Sequence, residues 1–123
     1  MRLRIEGADG QLRAVLFGYA CHNTTLALYQ FSGDYAGFAQ DYFQADHPGT
    51  TALFLNGCSG DQNPYPRGTV ELAQKHGRSL ATAVEAALAT TLKPVNGPLQ
   101  SAFAEVTILY APAPTRDEFK TRL

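Results

Sequence analysis

The chain has 123 residues, of which 45% are hydrophobic and 17% charged, with a formal net charge of -1. That length suits one domain and is enough to bury roughly two thirds of the unfolded surface in a real core. The near-neutral charge gives no reason to expect nucleic acid as a partner, no apolar run approaches the roughly 20 residues of a membrane helix, and no signal-peptide pattern follows Met1.

Residues 2–6 alternate as Arg2-Leu3-Arg4-Ile5-Glu6 and break at Gly7-Ala8-Asp9-Gly10, the pattern of a strand and hairpin turn leading into a second strand at 12–20. That second run, from Leu12 to Ala20, has no polar alternation after Arg13. It predicts an interior strand covered on both faces. The run empties into Cys21-His22-Asn23-Thr24-Thr25, so a buried strand delivers a histidine to a polar turn.

Ser32-Gly33-Asp34 offers a helix start, with Asp34 read as the cap in preference to a residue that reaches the site, and Tyr35, Phe38, Ala39, Tyr42 and Phe43 then recur at three- and four-residue spacing. The aromatic stripe is read as the core face of a helix that covers a sheet, in preference to a lipid groove. Asp46-His47-Pro48-Gly49 stops the helix, because proline disfavours helical geometry in the residue before it. A third strand, Thr51 to Leu55, empties into the glycine-rich turn Asn56-Gly57-Cys58-Ser59-Gly60-Asp61-Gln62-Asn63-Pro64.

The clearest helix spans about 69–92, with Val70, Ala73, Gly77, Leu80, Val84, Leu88 and Thr91 in one narrow seam and Glu71 placed to suit the helix dipole. His76, beside Lys75 on this helix, is read as solvated. Lys93-Pro94 and Gly97-Pro98 end the helix, and partial alternation from Leu99 to Tyr110 predicts a strand nearer a sheet edge. Thr115-Arg116-Asp117-Glu118 reads as a helix start whose helix is cut short at Leu123, so the expected organisation is one incomplete domain over 1–123.

Strand and helix alternate at lengths that predict an α/β fold, a mixed sheet with parallel strand-helix-strand crossover units. Parallel pairing of 12–20 with 51–55 places both carboxyl ends on one edge, where open α/β sheets hold ligands. His22 and the 56–64 loop are then expected to meet.

An imidazole at a strand end can bind zinc or move protons near neutral pH, and it can equally be a hydrogen-bonded structural residue. No second ligand stands at helical or turn spacing from His22. Cys58 permits a thiol-hydrolase reading, with His22 lowering its pKa and the amides of 57–61 holding an oxyanion, although Gly57-Cys58-Ser59-Gly60 lacks the Gly-x-Ser-x-Gly spacing. Asp61 and Asn63 are the catalytic candidates of this turn, and each has an ordinary alternative in bonding neighbouring backbone amides. Asn23, Cys58 and Gly60 are the expected substrate-pocket residues. With only Cys21 and Cys58 a disulfide scaffold is excluded, and whether these two pair is left open.

Taken together, Gly18-Tyr19-Ala20-Cys21-His22-Asn23-Thr24-Thr25, Ser32-Gly33-Asp34-Tyr35-Ala36-Gly37 and Leu53-Phe54-Leu55-Asn56-Gly57-Cys58-Ser59-Gly60-Asp61-Gln62-Asn63-Pro64 resemble, in order and spacing, the neutral/alkaline non-lysosomal ceramidase family. The similarity covers about 12–92 and implies part of the N-terminal catalytic domain. It implies a zinc-dependent amidohydrolase that cleaves the N-acyl amide of ceramide, or a related lipid amide, with metal-activated water. His22 is implied as one zinc ligand. The remaining ligands, a histidine upstream and a glutamate and a tyrosine far downstream, have no place on this chain. For the full-length parent the resemblance implies a secreted or periplasmic protein.

The family's Gly-Asp-x-Ser-Pro-Asn motif falls on residues 60–65, which puts Asn63 where that family has a catalytic serine. Asparagine can donate to an oxyanion but cannot form an acyl ester, so activity rests on metal-bound water. The isolated chain, with one ligand, is expected to bind zinc weakly and hydrolyse nothing measurable. The competing expectation is a scaffold without catalysis, either a carbohydrate- or lipid-binding module or a truncated product with no activity.

Overall fold

The structure, a computed structural model, describes residues 2–122. In chain order its elements are β1 (Arg2–Glu6), β2 (Leu12–Tyr19), α1 (Asp34–Asp46), β3 (Thr51–Asn56), α2 (Val70–Leu88) and α3 (Arg116–Arg122). Met1–Lys93 and Pro94–Leu123 form separate compact units.

In the first unit β1 and β2 make the expected antiparallel hairpin. Gly10, at φ 76, supplies the left-handed residue of the turn. The Asp9 carboxylate accepts from the backbone of Gln11 and from Arg13, which fixes the reversal. β3 joins the other side of β2 in parallel, giving a mixed sheet in the order β1-β2-β3. The α/β class with a strand-helix-strand crossover is thus the fold observed.

The core lies on one face of this sheet. Val15 and Phe17 of β2 and Ala52 of β3 pack with Ala39 and Phe43 of α1 and Val84 of α2, while Phe54, Leu80 and Leu88 close the margin. Tyr35, Ala39 and Phe43 of the stripe predicted for α1 and Ala73, Gly77 and Val84 of the seam predicted for α2 are buried as expected, whereas Val70 is 39% exposed and Thr91 lies past the helix, which ends at Leu88. Leu3, Ile5, Leu53 and Leu55 point to the other face, and each is more than a third exposed. The expectation that β2 is covered on both sides is corrected here. Both helices pack on the same side, and an unbroken apolar run shows that two faces are apolar without supplying two layers to bury them.

The two helices approach closely because of Gly77. A β-carbon there would lie 2.6 Å from Cβ of Phe38 and 2.8 Å from the backbone oxygen of Tyr35. Beyond that crossing Arg78 bonds Asp46 at 2.7 Å and stacks over the Tyr42 ring. His47, which ends α1, stacks on Phe43 and pairs with Glu85 of α2. Its role in stopping the helix is as expected, and the contact with Glu85 is additional.

In the second unit the capping sequence behaves as read. The Glu118 carboxylate accepts from the backbone and hydroxyl of Thr115, which holds its pKa below the usual carboxylate range, and Thr115 Oγ1 accepts in return from the Glu118 amide. Residues 99–110 do not form the predicted strand, and Phe103, Ile108 and Tyr110 are exposed. Alternation gives a segment two faces, but a strand also needs a hydrogen-bonding neighbour.

Gly77→Ala is expected to destabilise the chain by about 1–3 kcal/mol, because the atoms it meets include rigid backbone. Urea denaturation at neutral pH checks this; an unchanged midpoint would remove the close helix crossing as a determinant of stability.

Candidate functional site

The parallel register ends with Tyr19 beside Asn56, and backbone bonds continue the pairing beyond the strands. Gly57 N donates to Tyr19 O at 3.0 Å, and His22 N donates to Gln62 O at 2.9 Å. Next to these, Thr24 Oγ1 donates to Asn63 Oδ1 at 3.3 Å, and Gly68 N reaches Thr25 O at 2.7 Å. A side chain at Gly57 would crowd Ala20, with a contact of 3.1 Å, so this glycine permits the loops to run side by side. The histidine turn and the glycine-rich loop therefore meet.

The imidazole of His22 is half-buried at this junction, whereas Asn23, Cys58, Gly60, Asp61 and Asn63 are exposed. Cys21 is buried, and both cysteines are free thiols. The loop keeps its shape through its own bonds, with Asn56 Nδ2 donating to Ser59 Oγ at 3.1 Å and Gln62 N to Ser59 O at 2.9 Å. Among the described residues, Thr25 Oγ1 is a buried side-chain oxygen without a hydrogen-bond partner.

Asp34 is not the cap of α1 that the sequence favoured. Gly33 takes the cap position of α1, and Asp34 is the first helical residue at φ 53, a left-handed conformation that costs of order 1–3 kcal/mol outside glycine. Its carboxylate is 4% exposed and accepts from Leu26 N at 2.8 Å and Tyr35 N at 2.7 Å. Two charge-assisted bonds offset the strain and tie the segment after His22 to the start of α1. The sequence favoured the cap, but the geometry joins Asp34 to the turn.

Tyr35 supplies the second tie. Its hydroxyl donates to Cys21 O at 2.7 Å from a ring only 3% exposed. Burial pushes the phenol pKa well above its usual value, and the neighbouring Cys21 thiol adds to that. Edge-to-face contacts lead from Phe17 through Phe54 and Tyr35 to Tyr19, so an aromatic chain connects the core to the strand end.

Beside this junction is a cavity of about 490 Å³, walled by Tyr19 and Cys21 at the strand end, by Asn63 and Tyr65 of the loop, and by α2. The α2 wall includes His76, Ser79, Leu80 and Ala83, whose spacing is one helical face. His76 is not simply solvated as expected: it is half-buried, and its Nε2 lies 2.7 Å from Pro66 O. The sequence reading missed His76, Ser79 and Tyr65 as wall residues. The spacing 76, 79, 80 and 83, a second stripe beside the core seam of α2, was the signal available.

A zinc site takes three protein ligands or more. Among the described residues no three His, Cys, Asp or Glu side chains gather in a metal-holding group. The residues here fit a zinc ion only as the source of one imidazole, that of His22. No described helix is long and apolar enough to cross a membrane.

No family model matches the chain, and no curated protein does. A crystal structure of neutral ceramidase from Pseudomonas aeruginosa is similar in fold, with a TM-score of 0.60 and 18% identity over 69% of this chain. The match takes up 16% of that longer chain, so what the two share at this identity is a fold over a small part of the ceramidase.

The raised phenol pKa has a sign. Unfolded Tyr35 ionises near about 10, while the buried phenol keeps its proton to higher pH. Above that value the unfolded state holds fewer protons, and stability falls as pH rises. Tyr35→Phe is expected to lose about 1 kcal/mol at pH 8 through the missing bond to Cys21, and to flatten the decline between pH 9 and 11. Denaturation curves across that range test both effects.

Proposed function

We propose that the chain is part of the catalytic domain of a zinc-dependent amidohydrolase resembling neutral ceramidase, with His22 as one metal ligand. The observation that carries this reading is the backbone bond from His22 N to Gln62 O, which unites the two sequence motifs of the resemblance at one sheet edge. The shared fold with the Pseudomonas ceramidase over 69% of the chain supports it. Further polypeptide of the same domain completes the ligand set in this reading.

Zinc, when bound, supplies a water of pKa about 7 and polarises the scissile carbonyl. The residues of this chain orient and exclude. The Gln62 carbonyl fixes the backbone of the histidine, Asp34 and Tyr35 hold the flanking turn, and Cys21 is sealed beneath it. Asn63 Oδ1 is occupied by Thr24, which leaves its amide N–H groups to donate to a developing oxyanion. The substrate is a lipid amide or another small-molecule amide.

A second reading, a ligand-binding module without catalysis, is favoured by Asn63 at the serine position, since an amide cannot form an acyl intermediate.

In the full-length parent, His22→Ala is expected to lower bound zinc from about one ion per chain to a small fraction, and to abolish hydrolysis of N-acyl amides. Zinc by atomic absorption and fatty-acid release from N-acyl sphingosine measure the two. Unchanged zinc removes the ligand assignment; full zinc with no turnover on any amide favours the binding module. The 123-residue chain alone should bind zinc weakly and release no fatty acid.

A further inference from the structure

The cavity against α2 has a chemistry of its own. Among the described residues that line it there is no Asp, Glu, Lys or Arg. A charged ligand entering it would lose hydration and gain no counter-charge. A plain hydrocarbon fits no better, because it would strip water from Gln62, Asn63, His76 and Ser79 and return no hydrogen bond. An uncharged ligand rich in groups that both donate and accept satisfies both constraints.

The polar wall groups have that dual character. Gln62 and Asn63 carry amides, and Ser79 carries a hydroxyl. His76 is set by its partner: the Pro66 carbonyl can only accept, so the neutral imidazole carries its proton on Nε2 and leaves Nδ1 as an acceptor. The remaining wall is apolar, with Leu80, Ala83 and Pro64 beside the rings of Tyr19 and Tyr65. Tyr65 is 90% exposed and offers an uncovered ring face, while Tyr19, about half exposed and edge-to-face with Tyr35, leaves only part of its ring open. At about 490 Å³ the cavity falls within the ordinary range for small-ligand sites.

The geometry points to this cavity as a binding site for an uncharged saccharide ring, its hydroxyls bonded to Asn63, His76 and Ser79 and its C–H face stacked on Tyr65 or Tyr19. A pyranose meets all three requirements, with no net charge, hydroxyls around its rim and an apolar face that packs on an aromatic ring. The inference goes beyond the metal reading of His22, because none of these residues holds the metal there; Asn63, an oxyanion donor in that reading, is the one residue the two share.

The test is titration of the isotopically labelled 123-residue chain with N-acetylglucosamine, followed by NMR with EDTA present throughout. Saturable shifts are expected around Asn63, His76 and Ser79, with glucosamine and glucuronate, one cationic and one anionic, at least about tenfold weaker. Ala83→Trp, which fills the cavity from an exposed helix position, and Tyr65→Ala, which removes the stacking face, are each expected to weaken binding about tenfold. Circular dichroism confirms that both variants fold. Absence of saturable shifts, equal binding of the charged sugars, binding that survives both substitutions, or binding of N-octanoylethanolamine in place of the sugar would each overturn the proposal. With zinc chelated, failure here leaves the His22 assignment standing, and an unchanged zinc content in His22→Ala leaves this cavity standing.

Discussion

Parallel pairing of β2 with β3 is the constraint on which the site depends. It sends two chain segments out of the sheet side by side and in the same direction, so a histidine turn and a glycine-rich loop 35 to 40 residues apart in sequence share one edge. The bond from Gly57 to Tyr19 carries that pairing past the last strand residues, and the bond from His22 to Gln62 holds the two loops together beyond it. An antiparallel β3 would have sent the glycine-rich loop to the opposite edge.

The pairing places the loops, and the first turn of α1 fixes them. Asp34 and Tyr35 are adjacent in sequence and reach opposite sides of the histidine turn, one to Leu26 and the other to Cys21. The unfavourable backbone of Asp34 is tolerated because its carboxylate is doubly bonded in a buried setting, where an unmet acceptor would cost more than the torsional strain. Strain of this kind gathers where a loop must keep one shape. Gly77 completes the arrangement from the other side, letting α2 press its His76 to Ala83 face toward the same junction.

Much of the fold was legible because period and punctuation agreed. The β1–β2 hairpin had alternation on one side and Asp9-Gly10 between, and α1 had an aromatic period of three and four ended by Pro48. α2 was clear from its seam, and Thr115 to Glu118 from its capping pattern. The failures were of partnership. Leu99 to Tyr110 alternates, yet a ladder requires a second strand that alternation cannot announce. β2 reads as apolar throughout, but which layers cover it is settled by where helices pack. At the site, the convergence of His22 with 56–64 followed from topology. The roles of Asp34 and His76 did not, since each depends on a tertiary partner, Leu26 or Pro66, that no local spacing reveals.

The bare side of the sheet bears on how this polypeptide behaves in a test tube. Four branched aliphatic residues, Leu3, Ile5, Leu53 and Leu55, stand on one ribbon of three strands without a helical layer above them within their own unit. Contiguous oily area of that kind attracts detergent, dye or a neighbouring molecule before any specific ligand does. This face adds an ordered apolar strip to the exposed apolar side chains of the loops, and buffer additives that coat it will alter solubility while leaving the opposite, helix-covered side undisturbed.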